Sequence, residues 1–156
     1  MVLVHEFFRL SLMRIMKALV RNVLSVWLGF AAGSVVNMVL VNIGPFVVPL
    51  PEGADVSSME RLRETMERFT PANFLFPFLG HALGTLVGAF VAAKLAAGRP
   101  MRCAIVIGVL FLAGGIAAMS MIGGPVWFNV CDLLFAYIPM GWLGGYLASR
   151  KRTQSP

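Results

Sequence analysis

Charge is what this chain has least of. Only 13% of its 156 residues are Asp, Glu, Lys or Arg, about half the share in an ordinary soluble domain. Acidic groups are the scarcest. There are seven, and Asp132 alone lies in an apolar run. The two cysteines, Cys103 and Cys131, fall near opposite ends of their runs, so no disulfide is expected between them. Catalytic signatures are missing as well. His5–Glu6 does not begin an HExxH motif, and there is no Walker loop, no GxSxG, no GxGxxG and no N-x-S/T sequon. A single carboxylate within the apolar runs, and a Ser120 with no evident base, leave no pair for intramembrane proteolysis. No enzyme is expected and no catalytic residue is assigned.

Metal-binding patterns are also lacking. Met38, Met119, Met121, Met140, Cys131 and His81 are soft or borderline ligands in the apolar runs. They form no MxxM or CxxC pair, and methionine also fills irregular apolar gaps. No metal and no cofactor are expected. The net charge of +6 is not arranged as a basic stripe interleaved with exposed aromatics, so no nucleic-acid partner is expected.

What is present is apolar sequence, 58% of the chain. Four runs are each long enough to cross about 30 Å of hydrocarbon, which takes about 20 helical residues. They span 22–43, 72–93, 103–122 and 126–149. Glycine and proline are frequent in them, as they are in membrane helices. The fold class expected is an all-α integral membrane protein. One domain, 1–156, forms an antiparallel bundle of four transmembrane helices.

Two amphipathic helices accompany the bundle. In 1–21, Arg14, Lys17 and Arg21 share one helical face, while Phe8, Leu12, Ile15 and Leu19 share another. That pattern suits a basic helix lying on an anionic leaflet. Segment 45–70 is the only sizeable polar loop. Ser57 and Glu60 read as a capping box there, and Met59, Leu62, Met66 and Phe69 follow at helical spacing. Thr70–Pro71 reads as an N-cap and first helical position for the second run. Gly123–Gly124–Pro125 is a tight turn between the third and fourth.

Positive charge sets the orientation. Arg9, Arg14, Lys17, Arg21, Lys94, Arg99, Arg102, Arg150, Lys151 and Arg152 lie on one side if the termini share it. Arg61, Arg63 and Arg68 lie on the other, among Glu52, Asp55, Glu60, Glu64 and Glu67. The positive-inside rule places both termini in the cytoplasm. The expected location is the cytoplasmic (inner) membrane, with the acidic loop facing outward.

Small residues recur along the runs: Gly29 with Gly33, then Gly80, Gly84 and Gly88, then Gly141 with Gly145. Glycines four apart let helix backbones touch in a bilayer. Four helices need fewer such faces than this to pack among themselves. The first expectation is therefore a non-enzymatic subunit or assembly partner, docked on a second copy or another membrane protein.

The second expectation rests on polar groups at membrane depth. Asn37, His81 and Asp132 lie in the loop-side half of their runs and, with Thr85 on the same helical face as His81, form a candidate cluster. Ionisable groups at that depth often mark ion or proton paths, and imidazole changes charge between about pH 5 and 8. A small oligomeric transporter, or a proton or cation pathway through Asp132 and His81, follows from that. A hydrogen-bonded pair that sets helix register is the structural alternative, as is an Asp132 that simply reaches water. Trp127, Phe128, Trp142 and Tyr146 mark a further cleft for a quinone or lipid, or else an interfacial aromatic belt.

Overall fold

The computed structural model describes the backbone of residues 2–150 and the side-chain surroundings of 5–150. Lys151 and Arg152, used above in the charge argument, lie outside the described residues. Among those described, every regular element is helical. They are α1 (Val2–Val47), α2 (Met59–Thr65), α3 (Leu75–Leu95), α4 (Pro100–Ile122), α5 (Val126–Phe135) and α6 (Ile138–Arg150). Single 3-10 turns at Met66–Arg68 and Pro71–Phe74 join α2 to α3. Four stretches are long and apolar enough to cross a bilayer: His5–Val47, Pro71–Leu95, Pro100–Ile122 and Val126–Arg150.

The 46 residues of α1 would measure about 69 Å at 1.5 Å per residue. The backbone does not break near Arg21, where the sequence divides an interfacial helix from a span. No proline or glycine occurs there to stop the helix, and the Asn22 side chain is spent at the end of α3. Residues 5–21 are exposed except for a half-buried Ala18. Packing begins at Arg21, whose Nε donates to the Leu95 carbonyl at 2.9 Å. Asn22 Oδ1 accepts from the Ala97 amide at 2.7 Å. These two side chains satisfy backbone groups left over at the end of α3.

From there, α1 and α3 run in opposite directions along a line of small residues. Gly29 lies against Gly88 and Ala92, Gly33 against Gly84, Asn37 against Gly80, and Gly44 against Phe76. A methyl group at Gly84 would come 2.8 Å from the Gly33 carbonyl oxygen, so only glycine allows this approach. Helices α4 and α6 pair in the same manner, with Gly108 against Gly141 and Ala104 against Gly145. Gly144 seats α6 on Leu86 and Ala89 of α3. Every glycine of the predicted packing set thus meets a helix of this same chain. Gly114 is the helical glycine that faces open space.

The core is consequently built of small side chains: Ala89, Ala92, Ala93, Ala104, Ala136 and Ala148, filled out by Ile107, Phe111 and Tyr137. Large apolar side chains point outward, including Trp27, Leu28, Met38, Val109, Leu110 and Phe135.

Loop 45–70 folds back on itself. Ser58, rather than Ser57, caps α2 by accepting from the Arg61 amide at 3.2 Å. Ser57 instead donates its amide to Asp55 Oδ1 at 2.9 Å. Hydrogen bonds from Ser57 hold the Asp55 carboxyl below its ordinary pKa. Thr65 is buried and bonds the Asp55 and Arg61 carbonyls. Thr70 and Asn73 cap the turn before α3, as expected: the Thr70 amide and hydroxyl both donate to Asn73 Oδ1. Asn73 Nδ2 reaches across to the Pro49 carbonyl at 3.1 Å. The other loop-side turn needs glycine, since Gly123 and Gly124 have φ of 86° and 120°.

The fourth run is not one helix. It breaks at Ala136 and Tyr137 into α5 and α6. Pro139 supplies the reason. It has no amide for the Phe135 carbonyl, and its ring crowds that carbonyl. Helices of 10 and 13 residues are each too short to cross about 30 Å alone, and only the two together reach that length.

Candidate functional site

The break delivers Tyr137 into the interior, where it is 1% exposed. Its hydroxyl donates to Asp132 Oδ2 at 2.6 Å. His81 Nδ1, from α3, lies 2.9 Å from both Asp132 oxygens and 3.1 Å from the Tyr137 hydroxyl. The two rings stack with centroids 5.8 Å apart. Gly115 of α4 makes room for this group, because a Cβ there would overlap the Tyr137 hydroxyl. Three helical elements thus converge on one carboxylate.

A proton on the Tyr137 hydroxyl and one on His81 Nδ1, both directed at the Asp132 carboxylate, together satisfy these contacts. A carboxylate on Nδ1 fixes the imidazole tautomer and leaves Nε2 as the reactive nitrogen. None of the described residues hydrogen-bonds Nε2.

Of the four residues predicted to cluster, His81 and Asp132 meet directly. Thr85 is fully buried beside them, but its hydroxyl donates to the His81 backbone carbonyl at 2.7 Å. It supports α3 rather than the His81–Asp132 contact. Asn37 faces Gly80 and Gly84 of α3, and its Oδ1 is buried without a hydrogen-bond partner. Tyr137 is the member that sequence reasoning missed. The available signal was Pro139, which marks a break two residues downstream of it.

His81 and Asp132 form the floor of a cavity of about 370 Å³. They line it from α3 and α5, Val41 and Pro45 from the end of α1, and Met119 and Ile122 from α4. Leu62, Met66 and Phe69 line it from the loop. Phe69, Phe74 and Phe128 make an aromatic wall, with Phe74 centroids 5.9 Å from Phe69 and 4.8 Å from Phe128. Beyond the floor the interior is closed, since Ala89, Ala92, Ala104 and Ile107 are 0% exposed.

The four aromatics that suggested a cleft separate. Phe128 lines this cavity, and Trp127 lines a second hollow beside Arg63 and Glu67. Trp142 and Tyr146 stack on each other at 5.3 Å, with Arg150 over the Tyr146 ring. Cys103 and Cys131 are free thiols, the first buried and the second exposed. Among the described residues, no three His, Cys, Asp or Glu side chains are grouped to hold a metal ion. Compared with known protein families, curated proteins and solved structures, the chain matches none.

Proposed function

We propose that this chain is a small, non-enzymatic transporter of the cytoplasmic membrane whose His81–Asp132 pair takes up and releases a proton. Its four crossings form an antiparallel bundle, with both termini in the cytoplasm and loop 45–70 outside. The outward-pointing large apolar side chains support insertion, because lipid rather than water suits such a surface. Arg9, Arg14, Lys17, Arg21, Lys94, Arg99, Arg102 and Arg150 against the acidic loop support the orientation.

One observation carries the transport reading. Asp132, the one carboxylate within the apolar runs 22–43, 72–93, 103–122 and 126–149, is hydrogen-bonded to a histidine, and both line a cavity walled at the loop end. A buried ionisable pair of this kind is expensive in a bilayer, and a cavity leading to it gives that expense a use. The sealed alanine layer beyond it favours alternating exposure over an open pore. The helical glycines, by contrast, all find partners within the chain apart from Gly114. They leave no continuous smooth face to argue for a partner subunit.

The test is proton uptake into liposomes containing the purified protein and a trapped pH dye, driven by a potassium diffusion potential. Uptake above protein-free liposomes is expected, with loss in Asp132→Asn and a strong reduction in His81→Gln. Wild-type uptake equal to that of empty liposomes would remove the reading.

A further inference from the structure

We infer that the cavity above His81 is a binding site for a small aromatic compound bearing one hydroxyl group, a phenol in its simplest form. The inference builds on the transporter reading only in taking this cavity as the ligand site.

The polar end of the ligand follows from the cluster. His81 Nδ1 and the Tyr137 hydroxyl both address Asp132, so the carboxylate is already engaged by two donors. His81 lines the cavity and its side chain is 24% exposed. The imidazole nitrogen left for a ligand is Nε2, which presents a lone pair when Nδ1 holds the proton. A lone pair selects a hydroxyl donor. A bare metal cation is poorly served. Such ions take several oxygen ligands, and this floor offers one carboxylate that is occupied twice.

The apolar end follows from the walls. Phe69, Phe74 and Phe128 come from the loop, the turn before α3, and α5, and all three line the cavity. Aromatic faces and edges favour another ring at about 4.5–7 Å between centroids. The volume of about 370 Å³ lies near the small end of ligand pockets, roughly 300–1,000 Å³. That accommodates one ring with a short substituent. Leu62 and Met66 of the loop cover the apolar end. Charged groups do not line the cavity other than His81 and Asp132, which disfavours a ligand with a permanent charge.

The experiment is calorimetric titration of the purified full chain in nanodiscs with 4-propylphenol, propylbenzene and octanoic acid. Saturable 4-propylphenol binding is expected, about tenfold tighter than propylbenzene, the size of one net hydrogen bond. His81→Phe should bring the two affinities together. Met119→Trp, which fills the cavity from α4 and leaves the polar cluster intact, should abolish binding of both. Circular dichroism and elution volume establish that each variant is folded. Equal affinities for phenol and propylbenzene in the wild type would overturn the inference, as would absent saturable binding or tighter binding of octanoic acid. Failure of the transporter reading is separable. Selective phenol binding without proton uptake would remove transport and keep the ligand class, while uptake without phenol binding would do the reverse.

Discussion

Tyr137 and Asp132 are five residues apart, yet the phenol donates to the carboxylate at 2.6 Å. In an unbroken α-helix, side chains five apart point about 140° away from each other around the axis. The contact exists because α5 ends at Phe135 and α6 begins at Ile138. Pro139 thus does more than interrupt a helix. It turns Asp132 toward two donors, one of them on another helix.

Removing the Tyr137 hydroxyl tests that dependence. Tyr137→Phe leaves a buried carboxylate oxygen short of a donor, which costs about 1–3 kcal/mol, at the lower end if membrane hydrogen bonds behave as usual. Thermal unfolding in detergent should show the loss. With Asp132→Asn as the second change, the double-mutant cycle should be clearly non-additive. Additive losses would mean that the hydroxyl and the carboxylate act separately.

The glycine contacts make a contrast within one residue type. Gly84→Leu drives a side chain into the Gly33 carbonyl and Asn37, and overpacking of this kind costs about 1–3 kcal/mol or more. At Gly114 an added Cβ meets nothing within 4 Å and leucine gains helix propensity, so Gly114→Leu should be neutral or slightly stabilising. Unfolding in sodium dodecyl sulfate titrations should rank Gly84→Leu far below wild type and Gly114→Leu level with it.

Much of this architecture is legible in the residues because apolar length is a strong signal. The four long apolar helical stretches, the capped turn at Thr70–Pro71 and the glycine turn at Gly123–Gly124 all stand where hydropathy and turn chemistry put them. Two features do not. The run 126–149 reads as one helix because its composition is uniformly apolar, and Pro139 gives a break without saying which side chain turns inward. The glycines at Gly33, Gly84, Gly141 and Gly145 signal close contact without naming the partner, since a small face suits an internal helix and a foreign one equally. The His81–Asp132 pair was legible as two costly groups at similar depth, which leaves few other ways to satisfy either.

Orientation can be read by labelling. In a background with Cys103→Ala and Cys131→Ala, Ser57→Cys lies on an exposed loop position and should react in intact cells with a membrane-impermeant maleimide. Thiols introduced at Arg99, at the opposite end, should react only after the cells are broken. The reverse pattern would place the acidic loop inside, and the charge argument would then fail.

Asn37 supplies the sharpest separation between a site residue and a bystander. It was expected in the polar cluster, but its Oδ1 is buried against Gly80 with no donor. Asn37→Ala removes packing against two glycines, which destabilises. It also removes an unsatisfied acceptor, which stabilises by a comparable amount, about 1 kcal/mol for each effect. The net change in unfolding free energy should therefore stay within about 1 kcal/mol, well below that of Gly84→Leu. Proton uptake in liposomes should be unchanged, because neither His81 nor Asp132 bonds to Asn37. Loss of uptake with stability preserved would bring Asn37 into the pathway, as a polar group on the α1 wall that the cluster needs during opening.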